Sequence, residues 1–143
     1  MSDGDANPQS VCPVTYALEI FGDRWTLLVL RDLMLEGRSR FKELLGANEG
    51  LATNVLTERL RRLERRRLVS KTRDLADARQ VVYTPTETAI GLVPMLVEMM
   101  IWSARQGHAR VAPSFIRRFE KDREALVRDL QAEIRARIGK PRR

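Results

Sequence analysis

The chain is poor in the residues that hold small folds together covalently or through metals. It has one cysteine, Cys12, and one histidine, His108. A single thiol excludes an intramolecular disulfide framework and fits a reducing compartment. One Cys and one His fall short of the four-ligand set of a structural zinc site. There is no nucleophile elbow, phosphate loop, EF-hand or paired-histidine motif. The expectation is therefore a protein that is not an enzyme and needs no cofactor. Aromatic residues make up only 6%, with two Trp among them. Long apolar runs are missing as well. The longest, from about Ile90 to Trp102, is interrupted by Gly91, Pro94 and Glu98, and reads as too short and too polar to span a bilayer. Met1 to Ser10 are polar and lack the basic-then-apolar order of a signal peptide. From these absences a cytoplasmic protein with no membrane partner is expected.

What is present is enough apolar matter for a core and an excess of positive charge. Hydrophobic residues are 43% of 143, which suits one domain with an appended element. Lys and Arg number 26 against 19 Asp and Glu, a formal charge of +7. Such a balance points to a polyanion, either nucleic acid or an anionic membrane surface. Its distribution is more informative. Residues 1–37 hold two basic and six acidic side chains, whereas Arg59 to Arg73 hold eight basic side chains and a single acid, Glu64. Residues 113–143 are mixed, with ten basic and five acidic, as on an ordinary solvated helix face.

Periodicity supplies the elements. Pro13 opens a helix carrying Val14, Ala17, Leu18 and Phe21, stopped by Gly22. Asp23 is placed to cap a second helix, apolar almost all round, that ends by Gly37. A short helix, Arg40 to Leu45, is followed by a break at Gly46 to Gly50. The next helix is expected over Thr53–Arg67, with Leu56, Leu60 and Leu63 facing inward. Val69–Arg73 and Gln80–Thr84 flank the polar turn Asp74–Ala78 and predict a hairpin. One helix is expected from Thr86 to about Gly107, bent by Pro94 or starting near it, and one from Pro113 to about Ile138. The domain plan is a tail over residues 1–10, a core domain with a dimerisation helix over 11–106, and a helical extension over 107–143. The fold class is mainly α with a small β-hairpin wing, a winged helix-turn-helix with C-terminal dimerisation helices.

The Thr53–Arg67 helix carries the chemistry. With its leucines inward, Asn54, Glu58, Arg61 and Arg65 fall on the outer face and Thr57 at its edge. Asn pairs bidentately with adenine, Arg with guanine, and a Thr methyl meets thymine. Base reading is thus assigned to Asn54, Thr57 and Arg61. Phosphate contact is assigned to Thr53, Arg40, Lys42 and Arg65, and a wing contact to Arg79. A leucine stripe opposite charge also describes most surface helices, and Asp74 and Asp77 are able to neutralise Arg73 and Arg79. It is the ordered set of helix-turn, helix, hairpin and one-sided charge that favours double-stranded DNA.

At this point the chain resembles the HxlR group of MarR-like winged-helix regulators. The residues that carry the likeness are Cys12-Pro13-Val14, Gly22-Asp23-Arg24-Trp25-Thr26-Leu27-Leu28, Phe41-Lys42-Glu43-Leu44, Leu56-Thr57-Glu58-Arg59-Leu60 through Glu64, and Tyr83 with Thr86-Glu87. The match covers roughly residues 11–105. Ala52, Pro85 and Ala89 depart from the usual Ser, Leu and Gly of the family pattern. The resemblance implies a homodimeric transcription regulator, repressor or activator, on a palindromic operator. It also makes Cys12 a candidate redox sensor, set against a plain reading as a small, partly buried apolar residue. A small-molecule effector is left open. Met95, Met99 and Met100 are expected in core or interface, with a ligand cavity as the alternative. Phe119, Leu126, Leu130 and Ile134 form a stripe expected to pair with a second copy. The competing reading is a winged-helix protein-interaction module without specific DNA binding.

Overall fold

The computed structural model describes residues 12–107 and 109–140. The expected tail, residues 1–10, and His108 lie outside the described residues. Among the described residues, eight helices and two strands follow in the order α1 (Pro13–Phe21), α2 (Thr26–Met34), α3 (Phe41–Ala47), α4 (Thr53–Arg65), β1 (Val69–Arg73), β2 (Val81–Pro85), α5 (Glu87–Ile90), α6 (Val93–Arg105), α7 (Pro113–Lys121) and α8 (Arg123–Ile138). The arrangement is mainly helical, with a two-stranded antiparallel wing in the register Val69↔Pro85 to Arg73↔Val81.

Local chemistry explains most boundaries. Pro13 occupies the first turn of α1, where its missing N–H is no loss. The Asp23 carboxylate accepts from the backbone N–H groups of Trp25 at 2.9 Å and Thr26 at 3.1 Å, and from the Thr26 hydroxyl. It thereby satisfies donors that the start of α2 leaves open. The following helix is the centre of the core, with Val29, Leu30, Leu33 and Met34 buried. Just past its last helical residue, α4 closes in a Schellman motif. Leu68 N–H bonds Leu63 O at 2.9 Å, Arg67 N–H bonds Glu64 O at 3.0 Å, and Arg67 takes φ 57°. The helix expected to reach Arg67 therefore ends at Arg65.

The two long C-terminal helices of the sequence reading are each divided. Thr86 caps the short α5 by accepting from Ala89 N–H, and Pro94 sits in the first turn of α6, as its lost N–H requires. Asp122 takes an extended conformation and accepts from Ala125 N–H at 3.0 Å, ending α7 and starting α8. By length and composition alone, residues 87–105 are long and apolar enough to cross a membrane, which corrects the expectation that they are too short. In the fold they are broken at Gly91 and Leu92, and Ile90, Val93, Val97 and Ile101 lie in the core.

A second correction concerns the C-terminal stripe. Leu126 and Ile134, expected to await a second copy, are 1% and 2% exposed within the single chain. Phe119 and Leu130 are half-buried against the same core. Polar ties fasten α8 along its length. Gln131 Nε2 donates to Ile90 O at 3.1 Å, Arg135 is paired with Glu87 at 2.9 Å, and Arg137 donates to Met34 O. Arg137 crosses Gly37, whose φ is +68° and where a Cβ would lie 3.1 Å from the guanidinium. The positive φ favours glycine there, and a Cβ would also press on the Arg137 side chain.

Candidate nucleic-acid interface

Helix α4 is held from its inner side by leucines and from its flank by charge. Leu56, Leu60 and Leu63 are buried. Arg59 Nε donates to Asp23 at 2.8 Å and also pairs with Glu58, while Arg62 bonds Glu58 at 3.2 Å. The carboxylate that caps α2 thus also anchors α4. Burial pushes the Asp23 carboxyl up, but hydrogen bonds from Thr26, Arg59 and the Trp25 N–H outweigh it and hold the group at about 2. Two members of the basic block, Arg59 and Arg62, are therefore compensated inside the fold. Glu58, expected on the outer face, is drawn round to them.

A second carboxylate sets the helix preceding the turn. Asp32 is wholly buried at the end of α2. It accepts from Arg31 at 2.8 Å and Arg38 at 3.2 Å on one oxygen, and from Asn48 Nδ2 at 2.7 Å on the other. Asn48 in turn accepts from Arg31 at 3.1 Å. This cluster ties the C-terminus of α2 to the end of α3, and so fixes where the turn delivers α4. In the sequence its only mark is a lone acid in an apolar helix.

The outer face of α4 then presents what its spacing predicts. Thr53, Asn54, Arg61 and Arg65 are exposed, and Asn54, Arg61 and Arg65 have no side-chain hydrogen bond or ion pair among the described residues. Thr57 is half-buried and donates its hydroxyl proton to Thr53 O at 2.8 Å. That leaves its methyl group and oxygen lone pairs to meet a ligand. Ala52 is the N-cap and offers no side-chain cap, so the first N–H groups of α4 are open at the tip of this face.

The flanking cations divide. Lys42 is exposed on α3 without a partner among the described residues. Arg40, expected to contact phosphate, is instead engaged with Asp74 and Gln80 of the hairpin turn, while its N–H is bonded by Glu43 at 3.1 Å. It braces the wing against α3. The anticipated pairing of Arg73 with Asp74 is absent, because Arg73 donates to Ala78 O at 2.7 Å. Arg79 is 93% exposed, with one loose contact to Asp77 at 3.4 Å. Leu75, fully exposed at the same turn, was not singled out by sequence reasoning.

Cys12 stands exposed at the N-cap position of α1, without a side-chain cap hydrogen bond, so the reading as a partly buried apolar residue is corrected. Hydrogen bonds from the Thr15 side chain and from the Thr15 and Val14 backbone lower the thiol below its ordinary range. No group of three or more His, Cys, Asp or Glu able to hold a metal ion occurs among the described residues.

Comparison with known proteins adds the following. The model of the HxlR-like helix-turn-helix family matches residues 20–110. The HTH-type transcriptional regulator sll1512 of Synechocystis is 30% identical over 103 residues, 69% of this chain and 76% of that protein. YodB of Bacillus subtilis, also an HTH-type transcriptional regulator, is 32% identical over 95 residues, 66% of this chain and 84% of its own length. Among solved structures, PA1607 superposes with a TM-score of 0.63 at 32% identity, covering 73% of this chain and 70% of that one. Reduced YodB superposes with a TM-score of 0.55 at 31% identity, covering 64% and 90%.

Proposed function

The chain belongs to the HxlR-like helix-turn-helix family of transcriptional regulators, and from that premise we propose that it binds a palindromic operator as a homodimer, with α4 in the major groove. The observation that carries this reading is the division of the cations on α4. Arg59 and Arg62 are consumed by Asp23 and Glu58, while Asn54, Arg61 and Arg65 face outward unpaired. Asn54, Thr57 and Arg61 read base edges, with Thr57 contributing mainly its methyl. Thr53, Lys42, Arg65 and the open N–H groups of the first turn meet phosphates, and Arg79 reaches the backbone or minor groove from the wing. Arg40 acts indirectly, by holding the wing. The second copy is assigned to the apolar residues left exposed on α1 and α6, namely Val14, Tyr16, Leu18, Met99 and Trp102. Burying such a set is what a partner subunit offers.

The direct test is fluorescence-anisotropy binding to a random genomic duplex pool over a salt series, followed by sequencing of retained fragments. Steep salt dependence with an enriched palindrome is expected. Steep dependence without enrichment would reduce the protein to a non-specific nucleic-acid binder. No binding at low salt would favour the protein-interaction module.

A specific observation also favours a sensing role for Cys12. The thiol is exposed and its pKa is lowered, and low-pKa accessible thiols are the ones oxidants find. YodB has been solved in quinone-bound and diamide-treated forms. Under this reading, mild peroxide adds one oxygen to Cys12, seen by mass spectrometry, and duplex affinity changes. An unmodified Cys12 with unchanged binding removes the idea.

A further inference from the structure

A cleft of about 440 Å³ opens between the β1–β2 hairpin, the Gly37–Ser39 segment and the C-terminal end of α8. That volume lies within the range of small-ligand sites, on the order of 300–1,000 Å³. Its apolar surface comes from Leu33, Val82, Pro85 and Ile138. Its charge is one-sided. Arg38, Arg73, Arg137 and Lys140 line it, against one carboxylate, Asp74, which Arg40 already neutralises. The cations differ in availability. Arg38 is committed to Asp32 and Arg73 to Ala78 O. Arg137 spends one N–H on Met34 O, and the Lys140 ammonium has no partner among the described residues. Ser39 also lines the cleft, and its Oγ is buried without a hydrogen-bond partner. An unmatched buried hydroxyl is unfavourable, and an anionic oxygen is the acceptor its proton lacks.

We propose that this cleft binds a small amphipathic organic anion, its carboxylate held by Lys140 and Arg137 and its apolar body against Val82, Pro85 and Ile138. The α8 wall lies beyond the residues 20–110 that match the family. The site is therefore built by this chain's own C-terminal extension against the shared domain. Two of its walls continue into the residues that position the wing. Ser39 O accepts from Tyr83 N–H at 2.8 Å, and the next residue, Arg40, braces the hairpin turn. An occupant that wedges between hairpin and α8 thus changes how the wing meets a duplex. This second step rests on the DNA-binding reading; the anion site does not.

The probe is 2-naphthoate, titrated by its own fluorescence into the full chain without DNA, with uncharged 2-naphthamide as the control. Saturable binding of one naphthoate per chain is expected, weakened about tenfold or more in Lys140→Glu and for the amide. Val82→Trp, which fills the cleft, abolishes it. If circular dichroism shows that variant unfolded, Ile138→Asp at the exposed rim gives the same reading. No saturable binding, equal affinity for acid and amide, or indifference to both substitutions overturns the proposal. Lys140→Glu weakening duplex binding while leaving naphthoate binding intact also overturns it, because Lys140 is then a phosphate contact. In the wild type, naphthoate should shift duplex affinity about threefold or more, and not in Lys140→Glu. An unchanged affinity overturns the effector role. A chain that binds naphthoate but no duplex supports the anion site and refutes the DNA-binding reading.

Discussion

At the scale of single residues, three side chains do work that their types alone do not announce. Asp23 caps one helix and anchors another, which is why its carboxyl is held at about 2 against an ordinary 3.8. A folded-state pKa below the unfolded one adds stability above the unfolded value and loses it as pH falls through the folded value. The Asp23 contribution is therefore complete above about pH 4 and gone near pH 2. Asp23→Asn should lower stability by about 1–2 kcal/mol at neutral pH, after allowance for solvent screening. Urea titrations of the two proteins should converge as pH approaches 2. Arg67 sits at φ 57°, where a side chain costs about 1–2 kcal/mol that glycine avoids. Set against glycine's greater unfolded-chain freedom, Arg67→Gly should stabilise by about 0.5 kcal/mol, seen as a higher urea midpoint at unchanged slope. Arg40 was assigned to phosphate because an arginine at the head of a helix in a basic protein suits that task. Asp74 and Gln80 lie 34 and 40 positions away in sequence, and no local pattern reveals that they meet it.

At the scale of elements, α4 was legible because its inward leucines recur with the helical period, and this alone determines which residues face out. Asn54, Arg61 and Arg65 lie where the spacing put them. Glu58 was misplaced because Arg59 and Arg62 pull its flexible carboxylate toward the flank. If the outer face reads DNA, Asn54→Ala and Arg61→Ala should each cost about 1–3 kcal/mol on the enriched site and relax discrimination at one position. Arg65→Ala should weaken all duplexes alike and reduce the magnitude of the salt slope by about 1. Equal losses on every sequence for all three variants would mean that α4 contacts only the backbone. The divided helices teach a complementary lesson. Pro94 announced a break, because a missing N–H acts locally. Asp122 did not, because an Asp inside a helical pattern caps only where the chain also turns.

At the scale of the whole molecule, the C-terminal extension is part of the core. Leu126 and Ile134 belong to the buried core, and α8 packs against α6, so Leu126→Ala should destabilise by about 2–5 kcal/mol, measured by urea unfolding. A truncation after Gln106 removes these side chains and should lower the stability of the whole chain, measured by urea unfolding. The dimer is better tested on α6. Trp102→Glu places a charge on an exposed apolar residue and should shift sedimentation toward monomer while leaving the fold intact by circular dichroism. An unchanged dimer would move the interface elsewhere.

The sequence by itself determined the order of the elements from α1 through the wing, the leucine-lined inner face of α4, and the family to which the chain belongs. Each of these depends on neighbours within a turn or two of helix, or on motifs carried by short stretches. Only the tertiary structure decided which cations are spent and which are available, where the apolar stripe of α8 is buried, and that a charged cleft forms between α8 and the wing. Those outcomes depend on side chains tens of residues apart competing for the same partner, a competition that periodicity and local charge do not encode.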